Sequence, residues 1–141
     1  LFMGGGIILW DDNDFRITDE TRANMKRLRS LFDQNRLAEL DALGSPLKAL
    51  SHKEIYGWLL SSPAGDRYAL YVHNFDNHTT NIAGASIPTP IKGRGQYKIR
   101  WEDPKSGDVV IEEERRLQGG LVIVNVPDFT GDIVGIMTRE K

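Results

Sequence analysis

Residues 96–101 read Gln-Tyr-Lys-Ile-Arg-Trp, which is the clearest strand pattern in the chain. Tyr97, Ile99 and Trp101 alternate with polar or charged neighbours. Because successive side chains of a strand point to opposite faces, the pattern predicts a strand with one apolar face and one solvated face. The three apolar side chains include Ile99, which favours a core position for all three over a ligand-binding one.

The same period of two recurs from residue 55 to the end of the chain, with turn-forming Gly, Pro, Asn and Asp between the runs. The predicted strands cover residues 55–60, 68–75, 81–87, 96–101, 109–117, 121–126 and 133–138. We expect Pro88 and Pro90 to end the third strand, and the last strand to close the sheet. Short strands at this spacing predict a mainly β fold, a seven-stranded antiparallel β-sandwich.

Two of these strands carry a further signal. The strand over 109–117 becomes charged at residues 112–116, Glu-Glu-Glu-Arg-Arg, which suits an exposed edge that resists pairing with other chains. In the strand over 68–75, Tyr71, His73 and Phe75 share one face, and Leu70 and Val72 share the other.

The first third of the chain has helical periodicity instead. Thr18 is a good N-cap, and acidic residues follow it in the first turn. A helix of about four turns is predicted from the spacing of Met25, Leu28, Leu31 and Phe32. A second, shorter helix is predicted from Leu37, Leu40 and Leu43, with Gly44 after its end. We therefore divide the chain into a strand-helix-helix segment, residues 1–50, and a β-sandwich domain, residues 51–141.

Composition limits the classes of function. The chain has 141 residues, 40% hydrophobic and 27% charged, as in ordinary globular domains. A net charge of −2 gives no basic field for nucleic acid, and the absence of Cys excludes disulfide and thiolate chemistry. No apolar run approaches the ~20 residues of a membrane span. We predict no cofactor, no nucleic-acid partner and no membrane partner.

The first ten residues, Leu1–Trp10, are apolar and include a strand-like run, Ile7–Trp10. They lack the basic start of a signal peptide. The chain begins at Leu, so we expect a fragment or a processed chain, with a trimmed native start as the alternative.

The order of elements resembles the C-terminal end of a clan-A glycoside hydrolase, in which a small β-sandwich follows a (β/α)8 TIM barrel. In this resemblance, Leu1–Trp10 corresponds to the last barrel strand and residues 18–33 to the last barrel helix. Residues 55–141 correspond to the appended sandwich.

A second likeness lies in the final third. Residues 101–107, Trp-Glu-Asp-Pro-Lys-Ser-Gly, look like a turn in a domain family named for collagen binding, which ends many barrel glycosidases. Residues 127–134 are similar to the segment around its last strand. The resemblance implies an accessory domain of a secreted or periplasmic hydrolase of carbohydrate metabolism. It also implies that the catalytic carboxylates come from barrel strands outside this chain.

Candidate binding residues fall into two groups. Trp10, Asp11 and Asp12 follow the N-terminal strand, at the place where barrel active sites lie. Trp10 would stack on a sugar ring. A solvated loop that caps the next helix is the alternative for the two acids, and Ca²⁺ binding is a weaker one because the spacing lacks the EF-hand pattern.

Tyr71 and His73 form the second group, as an exposed pair that would contact polysaccharide. The neighbouring Trp58 lies in an apolar strand, which favours a core position. A metal trio of His73, Asp76 and His78 lacks a fourth ligand, so we interpret these residues as a polar strand end and predict no metal site.

Two functions follow. The first is a non-catalytic accessory β-sandwich of a carbohydrate-active enzyme, which stabilises the rest of a barrel in the same or another chain and contacts polysaccharide. The alternative is a stand-alone binding or assembly subunit that associates through its apolar N-terminal strand. Nothing in the sequence supplies a nucleophile with its base, so no catalytic residue is predicted.

Overall fold

The computed structural model describes residues 18–140, which are mainly β. Helix α1 spans Asp19–Gln34, and a single 3-10 turn, Leu37–Glu39, follows it. The strands are β1 (Asp41–Ala42), β2 (Leu47–Lys48), β3 (Ile55–Ser61), β4 (Arg67–Asn74), β5 (Asn81–Ile82), β6 (Ser86–Ile91), β7 (Gly95–Glu102), β8 (Val109–Leu117), β9 (Gly120–Asn125), β10 (Phe129–Thr130) and β11 (Asp132–Arg139).

Most strands belong to one seven-stranded sheet, in the order β1-β3-β4-β11-β7-β8, with β2 also paired to β3. Two ribbons, β6–β9 and β5–β10, complete the β structure, and every pairing among the described residues is antiparallel. Six of the seven strands of six or more residues match predicted ones, whereas β6 shares only residues 86 and 87 with the predicted third strand. The mainly β, antiparallel prediction is confirmed.

Each face of the sheet has its own core. The inner face packs against the β6–β9 ribbon, and its largest fully buried side chains include Trp101, Tyr68, Tyr97, Leu70, Ile99 and Met137. The outer face packs against the helical segment through Leu31, Leu37, Leu60, Ala69 and Val134. The alternation of residues 97, 99 and 101 thus places all three in the inner core, as predicted.

Helix α1 begins and ends as its sequence predicts. The Thr18 Oγ1 accepts a hydrogen bond from the backbone N–H of Thr21 at 3.1 Å, which satisfies one of the free donors of the first turn. Leu31 is its one buried residue, and it lies in the second half of the helix. Packing therefore holds the C-terminal half of α1 more firmly than its N-terminal half.

The prediction of a second helix is wrong beyond the first turn of that helix. After the 3-10 turn, Asp41 and Ala42 pair with Ser61 and Leu60 on β3, and the Leu43 N–H donates to the Leu59 carbonyl at 2.8 Å. The free edge of β3 offers a ladder of hydrogen bonds, which the helical spacing of three leucines does not reveal.

Two strand predictions also differ from the structure. Pro88 and Pro90 lie inside β6 instead of ending it. Among the described residues β6 pairs with β9 alone, and Pro is tolerated in a strand where its missing N–H faces away from the partner. The last strand, β11, lies between β4 and β7 in the middle of the sheet and does not close an edge.

The predicted N-terminal barrel strand, Leu1–Trp10, lies outside the described residues, as do Asp11 and Asp12. The division of the chain at residue 50 stays a prediction. Within residues 18–140, no helix has both the length and the apolar character needed to cross a membrane.

One buried tyrosine joins two turns at the end of the inner core. The Tyr68 hydroxyl donates to the Gly65 carbonyl at 3.1 Å and accepts from the N–H groups of Lys92 and Gly93 at 2.7 and 3.2 Å. We expect Tyr68→Phe to lower the free energy of unfolding by about 1–3 kcal/mol, because two backbone donors lose their acceptor. Urea denaturation measures the change, and a loss below about 0.5 kcal/mol would show that water replaces the hydroxyl.

Candidate functional site

A cleft of about 560 Å³ lies between helix α1 and the outer face of the sheet. Trp58 of β3, Tyr71 and His73 of β4, and Phe75 just beyond β4 form one wall. The remaining lining residues come from the helix, from β11 and from the β7–β8 turn: Asn24, Leu28, Leu31, Asp132, Val134, Pro104 and Lys105. This volume is within the range of small-molecule sites in proteins.

The cleft exists because the helix is held away from the sheet at one end. Leu31 anchors its C-terminal half in the outer core. Near its middle, the Arg27 guanidinium donates to the Lys105 carbonyl at 2.6 Å and so ties the helix to the β7–β8 turn. The first half of the helix has no buried residue, which leaves the aromatic face of β3 and β4 partly uncovered.

The aromatic side chains form a continuous wall rather than a cage. The ring of Trp58 lies 6.0 Å from that of Tyr71 and 5.6 Å from that of Phe75, between centroids. His73 meets Phe75 edge-on at 4.5 Å. Since these rings contact one another, a ligand can lie on them but not between them. Phe75 is 57% exposed and is the most accessible part of the wall.

Polar groups meet the wall at one end of the cleft. His73 Nδ1 lies 2.8 Å from Asp132 Oδ1, across the β4–β11 pair. Because a carboxylate can only accept, Nδ1 carries a hydrogen, and Nε2 is the acceptor in the neutral ring. The Tyr71 hydroxyl lies 3.4 Å from the same Nδ1. The side chains of His73 and Asp132 are largely buried, with exposures of 17% and 22%.

This environment keeps the Tyr71 phenol neutral. Burial raises the pKa of Tyr71 well above its ordinary value, and the Asp132 carboxylate, through its charge and a hydrogen bond, raises the pKa further. A phenol held in this form is a hydrogen-bond donor and not a nucleophile. The cleft therefore presents hydrogen-bonding groups to a ligand and not a reactive phenolate.

The described residues around the cleft do not form a hydrolytic pair. Glycoside hydrolysis uses two carboxyl groups on opposite sides of the bond. Asp132 is the one carboxylate among the described lining residues, and it already accepts from His73. Within residues 18–140, no three His, Cys, Asp or Glu side chains converge as they would around a metal ion.

Of the predicted site residues, the structure places Tyr71 and His73 together on the cleft wall. Both are half-buried, more enclosed than an exposed pair would be. Ligand binding by Tyr71 and His73 stays a prediction. Trp10, Asp11 and Asp12 lie outside the described residues, so their proximity to this cleft stays untested.

The sequence reasoning missed Trp58 and Phe75 as lining residues. Trp58 was expected in the core, yet it is half-buried on the outer face, directly opposite Tyr71. A signal was present in the hairpin. Pairing β3 with β4 across the turn at residues 62–66 brings the aromatic residues of both strands to one face.

Comparison with models of protein families gives no match, and no curated protein matches the sequence. Solved structures do match. A chain described as a glycoside hydrolase superposes with a TM-score of 0.56 at 13% identity, over 88% of this chain and 26% of its own length.

Two further structures are less similar. Alpha-L-fucosidase isoenzyme 2 from Paenibacillus thiaminolyticus has a TM-score of 0.45 and 10% identity, over 68% of this chain and 16% of its own. A mutant of a family 29 carbohydrate-binding module has a TM-score of 0.29 and 17% identity, over 73% of this chain and 82% of its own. The chain spans 26% and 16% of the two hydrolase chains, and it shares its fold with part of the first.

Proposed function

We propose that this chain is a non-catalytic accessory region of a carbohydrate-active enzyme and that it holds a glycan in the cleft beneath helix α1. The sheet and the β6–β9 ribbon form the accessory β-sandwich. The segment before residue 50 is the tail of a barrel that the sandwich stabilises. The fold shared with part of a glycoside hydrolase chain supports this proposal.

The observation that carries the proposal is the pairing of an aromatic wall with fixed polar groups. A sugar ring has an apolar C–H face and a rim of hydroxyl groups, and a Trp, Tyr or Phe ring covers the former while polar side chains bind the latter. Here Trp58 and Phe75 supply the ring faces. The Tyr71 hydroxyl and the His73–Asp132 pair supply hydrogen-bonding groups beside them.

The enclosure of the cleft indicates the form of the ligand. Helix α1 and Pro104 face the aromatic wall, so the site is a slot and not an open platform. A slot admits one or a few sugar units, whereas a flat row of rings suits an insoluble surface. We therefore expect a soluble oligosaccharide or a chain end to bind more tightly than crystalline polysaccharide.

Truncating Phe75 tests the site with little risk to the fold, because more than half of its surface is exposed. We expect Phe75→Ala to weaken glycan binding by about tenfold or more, as aromatic hot spots do. The measurement is a glycan array with the 141-residue chain, followed by isothermal titration calorimetry with the best oligosaccharide.

Leu121→Ala is the matched control. Leu121 is 72% exposed on β9, in the ribbon on the inner side of the sheet, so its truncation should leave glycan affinity unchanged. Equal affinity of the parent chain and the Phe75 variant would show that the cleft is not the binding site. Absence of binding to every glycan on the array would show that the chain does not bind glycans.

A further inference from the structure

Strand β8 is an open edge of the main sheet. Among residues 18–140 it pairs with β7 alone, and its residues from Val109 to Glu114 are exposed. An edge strand presents unpaired N–H and C=O groups that can template another strand. Its side chains then decide which strand can pair with it.

The β8 edge is self-complementary when it is read against a reversed copy of itself. Residues 111–117 read Ile-Glu-Glu-Glu-Arg-Arg-Leu. If two copies run antiparallel with Glu114 opposite its own copy, three kinds of pair result on each side of that centre. They are Glu113 opposite Arg115, Glu112 opposite Arg116, and Ile111 opposite Leu117. A two-fold axis makes each of these pairs occur twice.

The faces of the sheet agree with this pairing. Within the sheet, Glu113 and Arg115 lie opposite Ile99 and Tyr97 of β7, and so point to the inner side. Residues 112 and 116 point to the outer side. A two-fold axis perpendicular to the sheet keeps each residue on its own face, so both kinds of Glu–Arg pair come within contact distance of about 5 Å between Cβ atoms.

Other registers are less favourable. Moving the centre of the pair by one residue shifts the pairing register by two residues, which keeps the faces matched. Centring the pair on Glu113 places Glu112 opposite Glu114 and creates only like-charge contacts in the acidic run. Centring it on Arg115 keeps one kind of Glu–Arg pair but sets Arg115 opposite itself and Glu113 opposite Leu117. The register centred on Glu114 gives four opposite-charge pairs against one like-charge pair.

We propose that two copies of this chain associate through β8, in this antiparallel register, to form a two-fold dimer with a sheet continuous across both. Charges on an edge normally prevent pairing. Here the acidic residues precede the basic ones along β8, so a reversed copy places opposite charges next to each other. A neutral or like-charged strand would not form these ion pairs. Glu112 also pairs with Lys98 in its own chain at 2.8 Å, and both side chains are still nearly half exposed, so an Arg116 from the other copy can join them.

Charge reversal tests the register. Sedimentation equilibrium of the 141-residue chain should show a monomer–dimer equilibrium. Glu112→Lys/Glu113→Lys makes residues 112–116 basic apart from Glu114, and Arg115→Glu/Arg116→Glu makes the run wholly acidic. Each variant alone should stay monomeric at concentrations where the parent chain dimerises. An equimolar mixture of the two should form a heterodimer. In it, each Glu–Arg contact of the parent dimer is again a contact between opposite charges, now between the two variants.

Glu114→Gln is the complementary variant, because it removes the single like-charge contact. We expect it to lower the dimer dissociation constant by up to about fivefold. This gain is independent of any folding defect in the reversed variants, whose circular dichroism should match that of the parent chain.

Three results would overturn the proposal. A parent chain that stays monomeric up to about 1 mM has no such interface. A dimer that persists in both reversed variants uses another surface, such as the apolar first ten residues. A mixture that stays monomeric while both variants are folded excludes the register.

Discussion

Trp101→Ala will lower the free energy of unfolding by about 3–5 kcal/mol, the range for truncating a fully buried aromatic side chain. Trp101 is 0% exposed and is among the largest side chains of the inner core. Its indole Nε1 has no hydrogen-bond partner among the described residues, so the loss comes from packing and not from a broken hydrogen bond. Urea denaturation, monitored by circular dichroism, gives the difference. A loss below about 1.5 kcal/mol would mean that the core collapses around the gap.

The flat indole lies directly on a glycine of the neighbouring strand. A Cβ added at Gly135 would lie 2.8–2.9 Å from three atoms of the Trp101 ring, closer than carbon atoms approach. Gly135→Ala should therefore cost about 1–3 kcal/mol, as overpacking does. Gly44→Ala is the matched control, because nothing lies within 4 Å of its added Cβ.

A double variant tests whether the cost of Gly135→Ala comes from the contact with Trp101 or from another effect on β11. In the Trp101→Ala background the ring is gone, and Gly135→Ala should cost much less than in the parent chain. Additive losses would show that the glycine is needed for a reason other than the indole.

Raising the pH from 9 to 12 will remove about 2 kcal/mol of stability through Tyr97 alone. Burial, together with the neighbouring Tyr68, raises the pKa of Tyr97 from its ordinary 10.0 to about 12. Since the folded protein keeps the phenol proton longer than the unfolded chain does, the contribution is complete below pH 10. It is lost as the pH rises towards 12.

Thermal unfolding of Tyr97→Phe at several pH values isolates this effect. The variant loses the hydrogen bond from the Tyr97 hydroxyl to the Gly65 carbonyl, but that carbonyl still accepts from Tyr68. Its stability should fall by less between pH 9 and pH 12 than that of the parent chain. Parallel stability curves would mean that the phenol ionises as readily in the folded protein as in the unfolded one.

The cleft and the edge strand are two separate surfaces with separate proposed roles. The proposed glycan site lies between helix α1 and strands β3 and β4, on one side of the sheet. Strand β8 lies at one end of the sheet order, separated from β4 by β11 and β7. Variants of one surface should therefore leave the other unchanged, and each proposal can fail without the other.

Local order could be predicted from the sequence. A period of two located six of the seven longer strands to within one residue at each end, and a period near 3.6 together with the Thr18 cap located helix α1. Alternation also assigned the faces. Trp101 and its alternate neighbours are buried, and Tyr71, His73 and Phe75 share the outer face of their strand. These features need only neighbouring residues, because side-chain direction follows from backbone geometry.

Which segments meet depends on the three-dimensional packing. Strand β11 takes the centre of the sheet and brings Asp132 to His73, 59 residues away. Residues 41 and 42 pair with the edge of β3 instead of continuing a helix. Strand β6 keeps two prolines because, within residues 18–140, its hydrogen-bond ladder runs to β9 alone. Long-range pairing depends on which edges are free after collapse. A local hydrophobic period does not show which edges are free. The sequence therefore predicted strands, whereas the cleft is formed by the way the elements pack.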